Sequence, residues 1–134
     1  MSTLPTDGYD RDDVRVFLTE YGAALGAGDL EGIGDRFAFP ALLVLPDASL
    51  PLPDPEAVHD SVRDRLSRYR EQDLVAAVPQ VLDVDQAGPS FLWADVRWSY
   101  QDENAAMGAT ERFRYLLRRG RDTFEICVIV PTPD

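Results

Sequence analysis

The chain has 134 residues and a hydrophobic share of 45%, enough to bury a core and too apolar for wholesale disorder. Its 24 Asp and Glu outnumber 13 Lys and Arg, giving a formal charge of −11. Such a surface repels phosphate backbones and anionic lipid, which excludes nucleic acid and membrane surfaces as expected partners. The lone cysteine, Cys127, cannot form an intrachain disulfide and sits in an apolar run, where it reads as a small buried hydrophobe.

In chain order, residues 1–10 read as a polar, flexible leader interrupted by Pro5 and Gly8, with neither the basic and apolar stretches of a signal peptide nor a membrane span. A cytoplasmic location follows as the expectation. Asp10, Asp12 and Asp13 place negative charge at a helix start, and Val14, Phe17, Leu18, Tyr21 and Leu25 follow as one apolar stripe. Gly26 and Gly28 are expected to end this helix. Asp29 caps a short second one, with Leu30, Ile33 and Phe37 on one face and Pro40 as its stop. Residues 41–45 are apolar, short and flanked by prolines, which predicts a buried strand, and the four prolines between 46 and 55 predict an extended loop.

Asp54-Pro55 opens a third helix that runs to about residue 72, with Val58, Val62, Leu66 and Tyr69 as its stripe. The period then turns extended. Strands are predicted over 74–84 (with Pro79 at a bulge or edge), 91–100, 110–118 and 123–130, joined by a turn at Gly88-Pro89, a loop over 101–108 and a tight turn over 119–122. Three helices with one early strand, then a four-strand meander, belong to an α+β domain with helices packed on one face of a curved, mainly antiparallel sheet. No linker splits the chain.

Two segments carry a family resemblance. Tyr21-Gly22-Ala23-Ala24-Leu25-Gly26-Ala27-Gly28-Asp29-Leu30-Glu31-Gly32-Ile33 is similar to the junction of the first two helices in the nuclear transport factor 2-like superfamily, above all its ketosteroid isomerase and SnoaL-like polyketide cyclase branches. Tyr115-Leu116-Leu117-Arg118-Arg119 followed by Phe124-Glu125-Ile126 resembles the final hairpin of SnoaL-like domains of unassigned function. The resemblance implies a cone whose open end holds a small molecule, and a homodimer formed through the outer sheet face. In the isomerases the tyrosine at the position of Tyr21 donates a hydrogen bond to an enolate oxygen. Their general base, an aspartate at the end of the first strand, falls at Leu45 here, and leucine accepts no proton. Ketosteroid isomerisation by that route is therefore disfavoured.

The candidate catalytic residues are Tyr21 and Asp95. Tyr21 is either a pocket hydrogen-bond donor or a core residue bonded to a neighbouring carbonyl. Asp95, between Trp93 and Trp98, is either an acid or base with a raised pKa or the partner of Arg112 or Arg114 on the next strand. Arg97, Arg112 and Arg114 are alternative anchors for an anionic ligand. The single histidine, His59, lies off the apolar stripe of its helix and reads as solvent-exposed, and no residue spacing supports a metal or cofactor site. Phe17, Tyr21, Phe37, Leu45, Trp93, Trp98, Phe113 and Tyr115 form the candidate pocket lining. Trp98 and Tyr100 share one sheet face and Trp93 lies on the other, so one face is expected to meet the helices and the other a partner subunit. The functional expectation is a binding module for a small apolar molecule, with an isomerase, cyclase or hydrolase acting on a small carbonyl or hydroxyl compound as the alternative.

Overall fold

The computed structural model describes residues 7–120 and 123–133, with side chains from residue 11 onward. These residues form α1 (Asp7–Ala27), α2 (Leu30–Gly34), β1 (Phe37–Leu45), β2 (Ala48–Leu52), α3 (Pro55–Glu71), β3 (Ala76–Gly88), β4 (Phe91–Gln101), β5 (Met107–Arg119) and β6 (Phe124–Thr132). The six strands make one sheet in the order β2-β1-β6-β5-β4-β3. Every pair is antiparallel except β1 with β6, which run parallel because the chain between them includes α3 and the whole β3–β5 meander.

The helices start and stop where side-chain chemistry satisfies their ends. Asp29 accepts a bond from the Gly32 amide at 3.1 Å, and Asp54 does the same for Ala57 at 2.9 Å, with Pro55 in the first turn of α3. Gly28, at φ +67, closes α1. The stripe Val14, Phe17, Leu18, Tyr21 and Leu25 is wholly buried against the sheet. Along β4, burial alternates residue by residue, so Leu92, Ala94, Val96, Trp98 and Tyr100 face the helices.

Several boundaries differ from those the sequence predicts. Part of the expected leader is helical, since α1 already includes residues 7–10, while residues 1–6 and 121–122 of the expected leader and last turn lie outside the described residues. Gly26 does not end α1. It lies within the helix and lets it approach β3, for a Cβ there would stand 2.7 Å from the Val75 carbonyl oxygen. Phe37 opens β1 rather than closing α2, and Pro40 sits inside that strand. It is tolerated because pairing with β2 begins only at Ala41 and the β6 register breaks between Phe37 and Leu42, so no ladder bond needs the missing amide. The expected loop over 46–55 contains β2, an edge strand that accommodates Pro51, opposite Leu42, because it has a neighbour on one side only. Pro79 lies in β3, at the opposite edge.

Gly22 sets the distance between α1 and the sheet. A Cβ at this position would fall 2.6 Å from the Ala77 carbonyl oxygen and 2.8 Å from the Trp98 ring. Neither neighbour is a flexible chain end, so Gly22→Ala is expected to cost about 1–3 kcal/mol of stability. Urea denaturation checks this, and an unchanged midpoint would show that the helix can lift without loss.

Candidate functional site

Between α3 and the free ends of β1, β2, β5 and β6 lies an open pocket of about 370 Å³. Leu43, Leu45, Leu52, Val62, Phe113, Ile129 and Pro131 make its walls apolar, and Arg65, Glu111 and Arg112 are its charged members. Arg65 and Glu111 reach it from different elements. Arg65 follows Val62 by three residues on α3, so it shares the buried side of that helix. Glu111 stands opposite Trp98 in the β4–β5 ladder and thus points to the helical face of the sheet.

Arg65 is held by oxygens. Nε donates to Tyr69 Oη at 3.2 Å, and Nη2 donates to Tyr100 Oη at 3.2 Å and Glu111 Oε1 at 3.4 Å. Tyr69 Oη also donates to Glu111 Oε1 in a short contact. The guanidinium lies 5.0 Å from the Phe113 ring centroid and 6.0 Å from that of Tyr69, and the Tyr69 and Tyr100 rings stack at 4.2 Å. Burial pulls the Arg65 pKa down, but the surrounding Tyr100, Tyr69 and Glu111 oxygens outweigh it and hold it above the ordinary value. Burial raises the Tyr100 and Tyr69 hydroxyls despite Arg65 beside them. The guanidinium and both phenols therefore keep one protonation state through the neutral range.

Of the residues expected to line the pocket, Leu45 and Phe113 do so. Phe17, Tyr21, Phe37, Trp98 and Tyr115 are fully buried in the core behind it. Tyr21 meets the rings of Phe37, Trp98 and Tyr115 edge-on at 6.1, 5.9 and 6.3 Å, and burial pushes its hydroxyl up to about 12 against the opposing effect of Arg65. Trp98 Nε1 donates to Tyr115 Oη at 2.7 Å, which satisfies the buried indole.

Trp93 and Asp95 belong to the other face of β4, so the structure does not bring them together with Tyr21. Trp93 lies under the Arg114 guanidinium at 5.2 Å. Asp95 forms a two-point pair with Arg112, Nε to Oδ1 at 3.0 Å and Nη2 to Oδ2 at 2.6 Å. Those bonds hold its carboxyl below the usual range, the reverse of what an acid in waiting needs. His59 is half-buried rather than solvent-exposed, its Nε2 packed beside Gly34 with no partner among the described residues. Cys127 is half-buried, and burial raises its thiol. No group of His, Cys, Asp and Glu among the described residues could hold a metal ion, and no helix among them is long and apolar enough to cross a membrane.

The sequence reading missed Arg65, Tyr100 and Glu111 as a group. The available signals were a cation three residues past a buried Val62 and an acid in inward register with Phe113 and Tyr115.

A helical cap on one face of a curved six-stranded sheet, with a pocket at the open end, defines the NTF2-like class of domains. The chain belongs to the family described as NTF2-like protein (DUF6841), whose model matches residues 11–134. Among solved structures it is similar to Aln2 from a Streptomyces species, at 16% identity and TM-score 0.72 over 100% of this chain and 95% of that one. It is also similar to a protein from Catenulispora acidiphila in complex with S-DNPA, at 17% identity and TM-score 0.69 over 92% of this chain and 94% of that one. An NTF-2 like protein of unknown function from Shewanella oneidensis matches at 12% identity and TM-score 0.67, over 92% and 99% of the two chains. These likenesses show a common fold. No curated protein sequence matches the chain.

The Asp95–Arg112 pair predicts a pH signature. A carboxylate whose folded pKa is lowered adds stability above its unfolded pKa, and that share is lost as pH falls through the folded value. Asp95→Asn is expected to lose about 1–3 kcal/mol at neutral pH. The gap between variant and wild type should narrow below about pH 4 in acid-dependent denaturation. A gap that stays constant into acid would mean the charge on Asp95 contributes nothing.

Proposed function

We propose that this domain binds a small, largely apolar organic molecule in the pocket between α3 and the ends of β1, β2, β5 and β6. One observation carries the reading: apolar walls from five elements meet the hydrogen-bonded pair Arg65 and Glu111 in a cavity large enough for a two-ring compound. The Catenulispora acidiphila protein of the same fold, crystallised with S-DNPA, supports small-molecule binding by this kind of cone. Leu45 belongs to the apolar wall, so the position that carries the isomerases' base contributes only surface here. A catalytic reading as an isomerase, cyclase or hydrolase is favoured by Glu111, the carboxylate among the pocket-lining side chains. Tyr21 and the Tyr115–Trp98 pair stiffen the wall behind that end.

Thermal denaturation with 2-isopropylnaphthalene tests the pocket, because a ligand that binds only the folded state raises Tm. Wild type is expected to shift upward. Leu45→Trp, which fills the cavity from its wall, should not respond. An equal shift in both proteins would place binding elsewhere.

The other sheet face supports self-association. Leu42, Val128, Leu116 and Trp93 are direct neighbours across four strands and form a half-buried apolar band. Around it lie Arg112 paired with Asp95 and Arg114 near Asp85 at 3.7 Å, so both charge signs are present for a self-complementary contact. In sedimentation equilibrium the wild type should have twice the chain mass and Leu116→Arg the single mass. A monomeric wild type at micromolar concentration would overturn the dimer.

A further inference from the structure

The polar end of the pocket carries two atoms outside its own network. Arg65 commits Nε to Tyr69 and Nη2 to Tyr100 and Glu111, so Nη1 takes no part in these bonds. Glu111 receives both Arg65 and Tyr69 through Oε1, so Oε2 is likewise left over. Both side chains line the cavity, at 21% and 33% exposure. What the end offers a ligand is therefore the Nη1 amino group of a cation as donor and one oxygen of an anion as acceptor, in charge balance.

We propose that the ligand is a neutral molecule whose apolar body ends in a hydrogen-bond acceptor beside a donor, a carboxamide or hydroxy-carbonyl group, with the acceptor toward Arg65 Nη1 and the donor toward Glu111 Oε2. This rests on the pocket reading above and names the class of molecule it takes. A carboxylate fits worse. It brings acceptors only, it meets the Glu111 charge, and the guanidinium it would seek is already compensated. Arg112 does not reverse this, because its charge is compensated by the two-point pair with Asp95. A simple ketone satisfies Arg65 but covers Oε2 with apolar surface, and a hydrocarbon does so to both atoms, each at the cost of a desolvated polar atom left without a partner.

Titration calorimetry at neutral pH with four compounds of one shape tests this: 2-naphthamide, methyl 2-naphthyl ketone, 2-naphthoate and 2-isopropylnaphthalene. In wild type, 2-naphthamide is expected to bind about tenfold tighter than the ketone, the gain of one hydrogen bond to a charged group, and tighter still than 2-naphthoate. Glu111→Gln keeps an oxygen for Tyr69 but removes the charge that balances Arg65, so 2-naphthoate should overtake 2-naphthamide. Wild type binding 2-naphthoate as tightly as 2-naphthamide overturns the proposal, as does an unchanged order in a Glu111→Gln protein with native circular dichroism. If that variant does not fold, the wild-type order alone decides. If all four bind wild type equally, the pocket stands and the donor–acceptor reading falls. If none binds, both fall together.

Discussion

A guanidinium held mostly out of water needs oxygen around it, and much of this structure follows from where Arg65 finds it. Its partners come from its own helix, in Tyr69, from β4, in Tyr100, and from β5, in Glu111. Those contacts fix the roll of α3 over the sheet, because a small rotation would take Nε and Nη2 off their acceptors together. Beside those contacts, Val62 on α3 and Phe113 and Ile129 on β5 and β6 border open space. The space is the pocket, and the charge that anchors the helix becomes the pocket's polar end. Had position 65 been leucine, the helix could have settled deeper and closed the cavity.

The opposite end of the domain is governed by close packing instead. Gly22 and Gly26 let α1 lie nearly backbone to backbone on β3 and the start of that strand, and the Trp98 ring fills the space beside Gly22. Tyr21, one residue earlier, is thereby driven among Phe37, Trp98 and Tyr115. A hydroxyl in that setting is a wall element next to the Arg65 network, felt by it electrostatically and separated from the open pocket. Around Tyr21 the packing is therefore dense and aromatic, whereas the space between α3 and β5 is open and carries charge.

Much of this architecture is legible in the sequence because it is written in local periods. The α1 stripe, the Asp54-Pro55 start of α3 and the alternation along β4 each need only neighbouring residues, and each element falls where its pattern places it. The failures share a cause in long-range pairing. Pro51 argues against a strand until β1 lies beside it on one side only, and Pro40 argues for a helix stop until both ladders are seen to skip it. Asp95 looks the same in sequence whether it faces the core or solvent, and only the register that sets Arg112 within reach decides. The site was harder still. Arg65 and Glu111 are 46 residues apart, and nothing short of the assembled α3–β5 contact shows that they meet.

That meeting also changes what the loss of an acid at position 45 means. In a cone with a carboxylate at the end of its first strand, the anion sits on the wall formed by β1. Here that wall is leucine, and the pocket carboxylate comes from β5, already tied to a cation and a tyrosine hydroxyl. A free carboxylate is a base; one that shares its oxygen with Arg65 and Tyr69 is first a recognition element, its charge balanced and its direction set by two bonds. Under the proposed binding function, the cone is thus retained while the polar groups at its mouth serve to read a ligand's donor and acceptor. The proposed selectivity follows from balance: with cation and anion side by side, a neutral group with donor and acceptor recovers from both the hydrogen bonds it leaves in water, while a charged one unbalances a pair that the fold itself uses to hold α3 in place.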